Sequence, residues 1–511
     1  MRNRIMGEEI EWTGGCRLGA EGVWNSIGSH FDQIASFVLS EYENTQNTLI
    51  FLPNGARVYN ETTGYHLETA LPECQSAVEV LKFDKWSEWF ACRVSKKIKE
   101  NNNIDSYFFK KNTDSNMVNT EGNRQNTRGC HENYLSEKIF GKLLTESEVR
   151  LRAVDKTLIH PEINYFILFL ITRQIFTGSG GIMLYSGKGG EDTYEISPRT
   201  NYIDAVLTTS TTTAGKPGRA IINIRPETLV GNDTYWRNHL ILGDANMADL
   251  SIFLKFGTTS AVIEMIEEGT WNDDLCLDNP ADAPDLLKRI SKDLTLENVP
   301  IRLKNGKDYT ALQIQKKFCK NWRRYVTDTR QGGEKFEVSE RWREVLDRLE
   351  IDDEVLYSQL DYKIKKRLVE GFADKKGVPL GHESIINVDN MYHNPDPEKS
   401  FYYKLKNRPG SNFVSLITES EIMAADRTPP NTRAKLRVAL KKIIDKLHVT
   451  HSVVINTVDW HLIGFQLNLG GFSYHILMHD PRLSSFSSLN SEENLEAIKC
   501  LNKLRPGAII I

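Results

Sequence analysis

The run Asn54-Gly-Ala-Arg-Val-Tyr-Asn-Glu-Thr-Thr-Gly-Tyr-His-Leu-Glu68 can fold sensibly in only a few ways. It begins with the turn pair Asn54-Gly55. Two short strand-like segments follow, crowding Arg57, Tyr59, Glu61, His66 and Glu68 together. In extended backbone, side chains two apart share a face. Arg57, Tyr59 and Glu61 therefore point the same way. A face that is cationic, phenolic and acidic at once suits a site better than a core. A second acidic strand, Gly7-Glu-Glu-Ile-Glu11, puts Glu9 and Glu11 on one face and Glu8 on the other. Clustered carboxylates repel unless something positive sits between them. Mg²⁺, a hard cation that prefers oxygen ligands, would relieve that repulsion. The plain alternative is a pair of solvated edge strands.

The rest of the chain narrows the class. Its 511 residues suffice for a large core and a second domain. Hydrophobic residues make up 40% and charged residues 26%, which marks a globular rather than a disordered chain. A net charge of −4 gives no global reason to expect nucleic acid. The seven cysteines are scattered and contain no C-x-x-C. That pattern predicts a reduced cytoplasm rather than a disulfide scaffold or zinc module. Charged residues begin at once, so no signal peptide is expected. The longest apolar run, Tyr165-Phe-Ile-Leu-Phe-Leu-Ile171, is far too short to span a membrane.

Along the chain, residues 1–92 read as strands alternating with one helix near 22–41. Ser106–Phe109 reads as a strand. Residues 115–128 are polar and aperiodic, which predicts a mobile loop. Pro161 opens an apolar helix that runs to about Phe176. Ala220–Ile224 and His239–Leu242 read as buried strands. Thr259–Glu268 is amphipathic, and residues 310–372 look helical with solvated charges. After Pro429-Pro430 the pattern is helix, strand, strand, helix.

No Walker A loop is present, because Ser186-Gly-Lys-Gly-Gly190 lacks the spacing. A nucleotide site would need another build, such as a carboxylate-lined sheet holding Mg²⁺ and phosphates. Arg57, Arg199, Arg225 and Arg237 are the arginines available for charge. Cys130-His131-Glu132 invites a cysteine-nucleophile reading, but nothing in the sequence ties a second histidine to it. Trp460, after Asp459 in an expected strand, is either a core tryptophan or a ring that stacks on a nucleobase.

Together these segments resemble the family of Pup ligases and Pup deamidases, distant relatives of glutamine synthetase. The similar stretches are Arg4–Glu11, Asn54–Tyr59, Lys111–Ser115, Gly129–Leu135, Thr172–Gln174, His239–Met247, Lys255–Thr259, Pro429–Arg433 and Val458–Trp460. They recur in family order over nearly the whole chain. The resemblance implies an α+β fold with a curved, mainly antiparallel sheet and helices packed behind it. Residues 1–420 would form the catalytic domain. Residues 421–511 would form a small domain that closes over the nucleotide. Glu9, Tyr59 and Glu68 match metal positions. Arg57 matches an ATP-phosphate contact, and Trp460 a residue beside the nucleotide.

Two departures stand out. The family's catalytic base is an aspartate two residues after the matching tyrosine. Here Glu61 stands there, with one extra residue before Glu68. The family's ATP-contacting threonine is replaced by Leu71, which leaves Thr69 as the nearest candidate. The long insert of the deamidase branch is missing before Asn54, which favours the ligase. Thr177–Gly180 and Val369–Phe372 look more like the deamidase. The resemblance thus implies an ATP- and Mg²⁺-dependent ligase in the pupylation pathway. It would join the C-terminal side-chain carboxylate of a small Pup-like modifier, such as a UBact protein, to lysines of target proteins. The alternatives are a Pup deamidase or an inactive ATP-binding homologue.

Overall fold

Residues Met6–Glu11 bury every second side chain, and this alternation sets the architecture. In the computed structural model they form β1, an inner strand of an eight-stranded sheet. The others are β2 (Ile50–Phe51), β3 (Arg57–Glu61), β4 (His66–Ala70), β5 (Cys130–Glu137), β6 (Ala205–Thr208), β7 (Ala220–Asn223) and β8 (Tyr235–Leu240). Their spatial order is β6-β7-β8-β5-β1-β4-β3-β2. All pairs are antiparallel except β6 with β7. The structure describes residues 4–19, 21, 25–26, 34, 50–61, 66–118, 125–152, 159–185, 190–209, 218–226, 229–230, 234–467 and 472–509.

Helix α1 (Ala77–Asn102) packs on the back of the sheet, and α2 (Pro161–Thr172) packs against α3 (Asp249–Glu267), which also touches the sheet. Pro161 stands in the first turn of α2, and every residue from Ile163 to Thr172 is buried. A helix that is apolar all round belongs in the middle of a core. The amphipathic helices α4 (Ala311–Asp328) and α5 (Glu334–Glu350) lie outside it. Thr310 starts α4 with a reciprocal capping box to Gln313.

The charges facing this core are paired. Glu8 accepts from Lys255 Nζ at 2.7 Å and from the Cys130 thiol at 2.9 Å. Arg173 grips Glu132 with two nitrogens, at 2.9 and 2.5 Å. Lys110 reaches Asp84 at 2.5 Å and Glu88 at 3.0 Å.

A second core gathers near the C-terminus. Helices α6 (Arg433–His451) and α7 (Glu492–Leu504) pack on a three-stranded antiparallel sheet. Its strands are β9 (Val453–Asp459), β10 (Leu462–Leu467) and β11 (Ser473–Leu477). Leu436, Leu440, Phe465, Ile476 and Leu501 fill it. Glu73, just past β4, ties it to the large sheet. Arg433 Nε donates to Glu73 at 3.0 Å, and Arg437 donates at 3.0 and 2.8 Å.

Burial alone would raise the Glu73 carboxyl, but Arg437 and Arg433 overcome it and hold it at about 2. A depressed acid stabilises above its ordinary value near 4.5 and loses that contribution as pH falls towards 2. Removing Glu73 leaves two buried guanidiniums uncompensated. Glu73→Ala is expected to cost about 3–5 kcal/mol in chemical denaturation at pH 7. The difference from wild type should shrink between pH 4.5 and pH 2. A variant within about 0.5 kcal/mol of wild type would show the cluster to be idle.

Several expectations need correcting. The longest helix near the N-terminus is α1, and the sequence reading passed over it. The helix expected near 22–41 falls almost entirely outside the described residues. The loop expected at 115–128 contains strand: Thr113–Val118 pairs antiparallel with Gln125–Thr127. α3 begins at Asp249, ten residues before the expected start at Thr259. The C-terminal segment has three strands rather than two, and Trp460 lies in the turn between β9 and β10.

Candidate active site

The ladder fixes which side chains share the front of the sheet. Glu9 pairs with Ala70 on one side and His131 on the other. Glu11 pairs with Glu68, Tyr59 with Glu68, and Arg57 with Ala70. Asn133 pairs with His239. Paired residues lie on one face, so Glu9, Glu11, Arg57, Tyr59, Glu68, His131, Asn133 and His239 stand together. Glu8, Ile10 and Glu132 lie behind, against the helices.

Glu9 is the centre of this group. His131 Nδ1 lies 3.2 Å from its Oε2, and His239 Nε2 lies 3.5 Å from the same atom. Asn133 Nδ2 donates to Oε1 at 3.2 Å, and Arg237 Nη1 lies 3.6 Å away. Burial would raise the Glu9 carboxyl. The hydrogen bond with His131 and the close approach of His239 win and hold it well below the usual carboxylate range. Burial and the Arg237 charge push His239 down to about 4, so its ring is neutral at pH 7. Tyr59 donates its hydroxyl to Glu68. Burial and the charges of Glu68 and Glu9 push that phenol well above its ordinary value.

Two observations fit a divalent cation. Glu11 and Glu68 are direct cross-strand neighbours, and like charges so placed repel. Glu9, His131 and His239 offer three ligand atoms that all lie within 4.8 Å of one another. Carboxylate and imidazole donors together suit a first-row divalent metal as well as Mg²⁺.

A narrow cleft opens at the Met6 end of the sheet. Met6, Leu71, Leu135, Val230 and Trp460 line it, and Glu9 and Arg237 stand at its inner end. Apolar walls with a few convergent polar groups are the usual build of a small-molecule site. Trp460 is held by Arg437, which donates to its carbonyl at 2.8 Å and lies 5.0 Å over its ring. Arg57 bridges the two cores, 3.6 Å from Asp459 and 5.2 Å over the Tyr59 ring.

Most residues singled out from the sequence meet here. Glu9, Arg57, Tyr59 and Glu68 share the front face, and Trp460 closes one end. Glu61 pairs with His66 at the end of the β3–β4 ladder. Thr62 lies outside the described residues. Thr69 is a correction. It is fully buried on the back face, where its hydroxyl accepts from Trp12 Nε1 at 3.0 Å, so it cannot contact a nucleotide in front. Leu71 stands in the cleft wall instead. The Cys130 thiol also faces back. Burial and the Glu8 charge push it well above its ordinary value, which removes the nucleophile reading. The sequence reading offered Arg237 as one of four available arginines but missed His131, Asn133 and His239 as members of the carboxylate group. Alternation in Cys130–Glu137 and Tyr235–Leu240 could have found them, since His131 and Asn133, like Arg237 and His239, are two residues apart.

A mainly antiparallel sheet with carboxylates in front and helices behind makes this an α+β fold. The family described as Pup-ligase protein matches this chain over residues 28–463. The Pup–protein ligase of Acidimicrobium ferrooxidans is 31% identical over 438 residues, covering 84% of this chain and 86% of that protein. That of Mycobacterium tuberculosis is 31% identical over 445 residues, covering 86% and 89%. The crystal structure of the complex between the prokaryotic ubiquitin-like protein Pup and its ligase PafA superposes with a TM-score of 0.75 at 28% identity. It covers 99% of this chain and 96% of PafA. PafA in complex with ADP gives a TM-score of 0.69 at 27% identity, covering 93% and 94%. The chain belongs to the Pup ligase family.

Proposed function

We propose that this protein is an ATP-dependent ligase that joins the C-terminal side-chain carboxylate of a small Pup-like modifier to lysines of target proteins. The observation that carries the reading is the front face itself. Opposed carboxylates, two histidines and arginines lie beside an apolar cleft that ends in a tryptophan. Glu9, Glu68 and Tyr59, with His131 and His239, would hold Mg²⁺. The ion would supply charge neutralisation for phosphoryl transfer. Arg57 and Arg237 would face the phosphates from either side of Glu9. The C-terminal unit, residues 421–511, would close on the nucleotide through Trp460.

The chain's own residues would carry the second half of the reaction. A lysine near its ordinary pKa of about 10.4 is mostly protonated at neutral pH and cannot attack an acyl phosphate. Glu61 would take that proton. ATP-dependent formation of an isopeptide between a Pup-like modifier and a lysine substrate tests the reading.

Trp460 provides a narrower check. Trp460→Ala is expected to weaken nucleotide binding by about 1–3 kcal/mol, the usual worth of one base-stacking ring. Calorimetry with ADP measures this directly. Unchanged affinity would place the nucleobase elsewhere.

A further inference from the structure

Arg437 reaches three parts of the chain at once. Its Nη1 donates to Glu73 Oε1 at 3.0 Å and to the Trp460 carbonyl at 2.8 Å. Its Nη2 donates to Glu73 Oε2 at 2.8 Å and to the Gly55 carbonyl at 3.2 Å. Glu73 follows β4, Gly55 belongs to the turn that leads into β3, and Trp460 joins β9 to β10. Among side chains, a planar guanidinium offers its donors in such a fork. The turn is closed against α6. Gly55 has φ +86°, and a Cβ there would lie 2.7 Å from the Cβ of Ala434.

Aromatic rings extend this junction. Arg437 Cζ lies 4.8 Å from the centre of the Phe51 ring and 5.0 Å from that of Trp460. The two rings meet edge to face, with centres 5.4 Å apart. Phe51 is also the cross-strand partner of Arg57, whose Cζ lies 5.5 Å from the same ring. A guanidinium at such distances is attracted to a ring, more strongly where water is excluded. Arg437 and Phe51 are both buried. Phe51 comes from the edge of the large sheet and Arg437 from α6, so the contact crosses between the two cores. Trp460 lines the cleft at the Met6 end of the sheet. Phe51 and Arg437 stand outside it and line a separate hollow with Val438 and Lys441.

From these contacts we infer that Arg437 and Phe51 are positioning residues for Trp460, which they hold at the cleft while α6 is docked on Glu73 and Gly55. This rests on the reading above in which Trp460 meets the nucleobase. The turn's own restraint is local: the Trp460 amide donates to Asp459 Oδ1 at 2.7 Å. Connecting turns are ordinarily the mobile parts of a unit. Here the carbonyl is fastened by Arg437, and the ring is packed against Arg437 and Phe51 together. A ring fixed before its ligand arrives loses less freedom on binding. Nucleotide affinity is thereby coupled to the docking of the two cores, through residues that stand outside the cleft.

Calorimetry with ADP tests this as a pair of double-mutant cycles. Arg437→Lys keeps a charge for Glu73 but gives up the fork. Phe51→Leu removes the ring and touches no charge. Each should weaken ADP binding about 5- to 30-fold, the scale of a buried cation–π contact. In a Trp460→Ala background the same changes should cost less than about twofold more, because the ring they position is gone. Titration with Mn²⁺ should find the Glu9 site unchanged in every variant, which shows the large sheet to be folded. A purely structural role would instead lower the denaturant midpoint and leave the ADP affinity of the folded protein within about twofold. That result in both Arg437→Lys and Phe51→Leu, with Trp460→Ala still weakened, would overturn the inference. So would losses that add in full to that of Trp460→Ala. Should Arg437→Lys fail to fold, Phe51→Leu carries the test alone. Unchanged ADP affinity in Trp460→Ala would overturn the nucleobase reading, and the positioning role with it.

Discussion

Glu61→Gln is expected to slow conjugation by roughly 10²- to 10⁴-fold, the usual worth of a positioned general base, while nucleotide still binds. Glutamine keeps the size and hydrogen bonding of the side chain but cannot accept the lysine proton. The assignment rests on register. β3 and β4 pair Arg57 with Ala70, Tyr59 with Glu68 and Glu61 with His66. Glu61 thus continues the series that places Tyr59 against Glu68. Thr62 is the neighbouring candidate, but a neutral hydroxyl is no base near pH 7. The longer side chain and the extra residue before Glu68 belong together in this account, so Glu61→Asp should keep partial activity. Assays of both variants beside Thr62→Val, with a lysine substrate, decide the matter. Normal conjugation by Glu61→Gln together with loss in Thr62→Val would move the base to position 62.

Glu9→Ala should all but abolish ATP turnover, and the reason is separable from folding. Glu9 is the one carboxylate that His131, His239, Asn133 and Arg237 all approach. Removing it should cost more than the roughly 10- to 100-fold that loss of an outer-shell partner costs a metal site. Titration with Mn²⁺, followed by its paramagnetic signal, should show at least one binding site lost without any turnover being needed. Glu8→Ala, one residue away, is the contrast. Burial works against the Glu8 carboxylate, but Lys255 and Lys110 hold it at about 2 on the back of the sheet. Its loss should cost about 3–5 kcal/mol of stability and leave the Mn²⁺ site intact. Identical behaviour of the two variants would contradict the division of β1 into a working face and a packing face.

That division was legible in five residues, because a strand's period of two separates Glu9 and Glu11 from Glu8 without further information. The same rule places Thr69 opposite Glu68 and Ala70, and it should have kept Thr69 out of the nucleotide site. α1 was harder to see. Asp84, Lys85 and Glu88 are buried inside it and neutralised by Lys110 and by one another, so the helix shows no clean apolar stripe. A pattern of charges reads as solvated unless their partners are known, and Lys110 lies beyond the helix's C-terminal end. His131 and His239 become neighbours only because β5 and β8 pair. No local signal joins them.

The bond that the protein makes can be read directly. Incubation with ATP, Mg²⁺, a Pup-like modifier ending in glutamate and a lysine-bearing protein should yield one new species by intact mass spectrometry. Its mass should equal modifier plus target less one water, and it should appear only when ATP is converted to ADP. Removal of an existing conjugate, or release of ammonia from a glutamine-ended modifier without ATP consumption, would contradict the account and mark a deamidase.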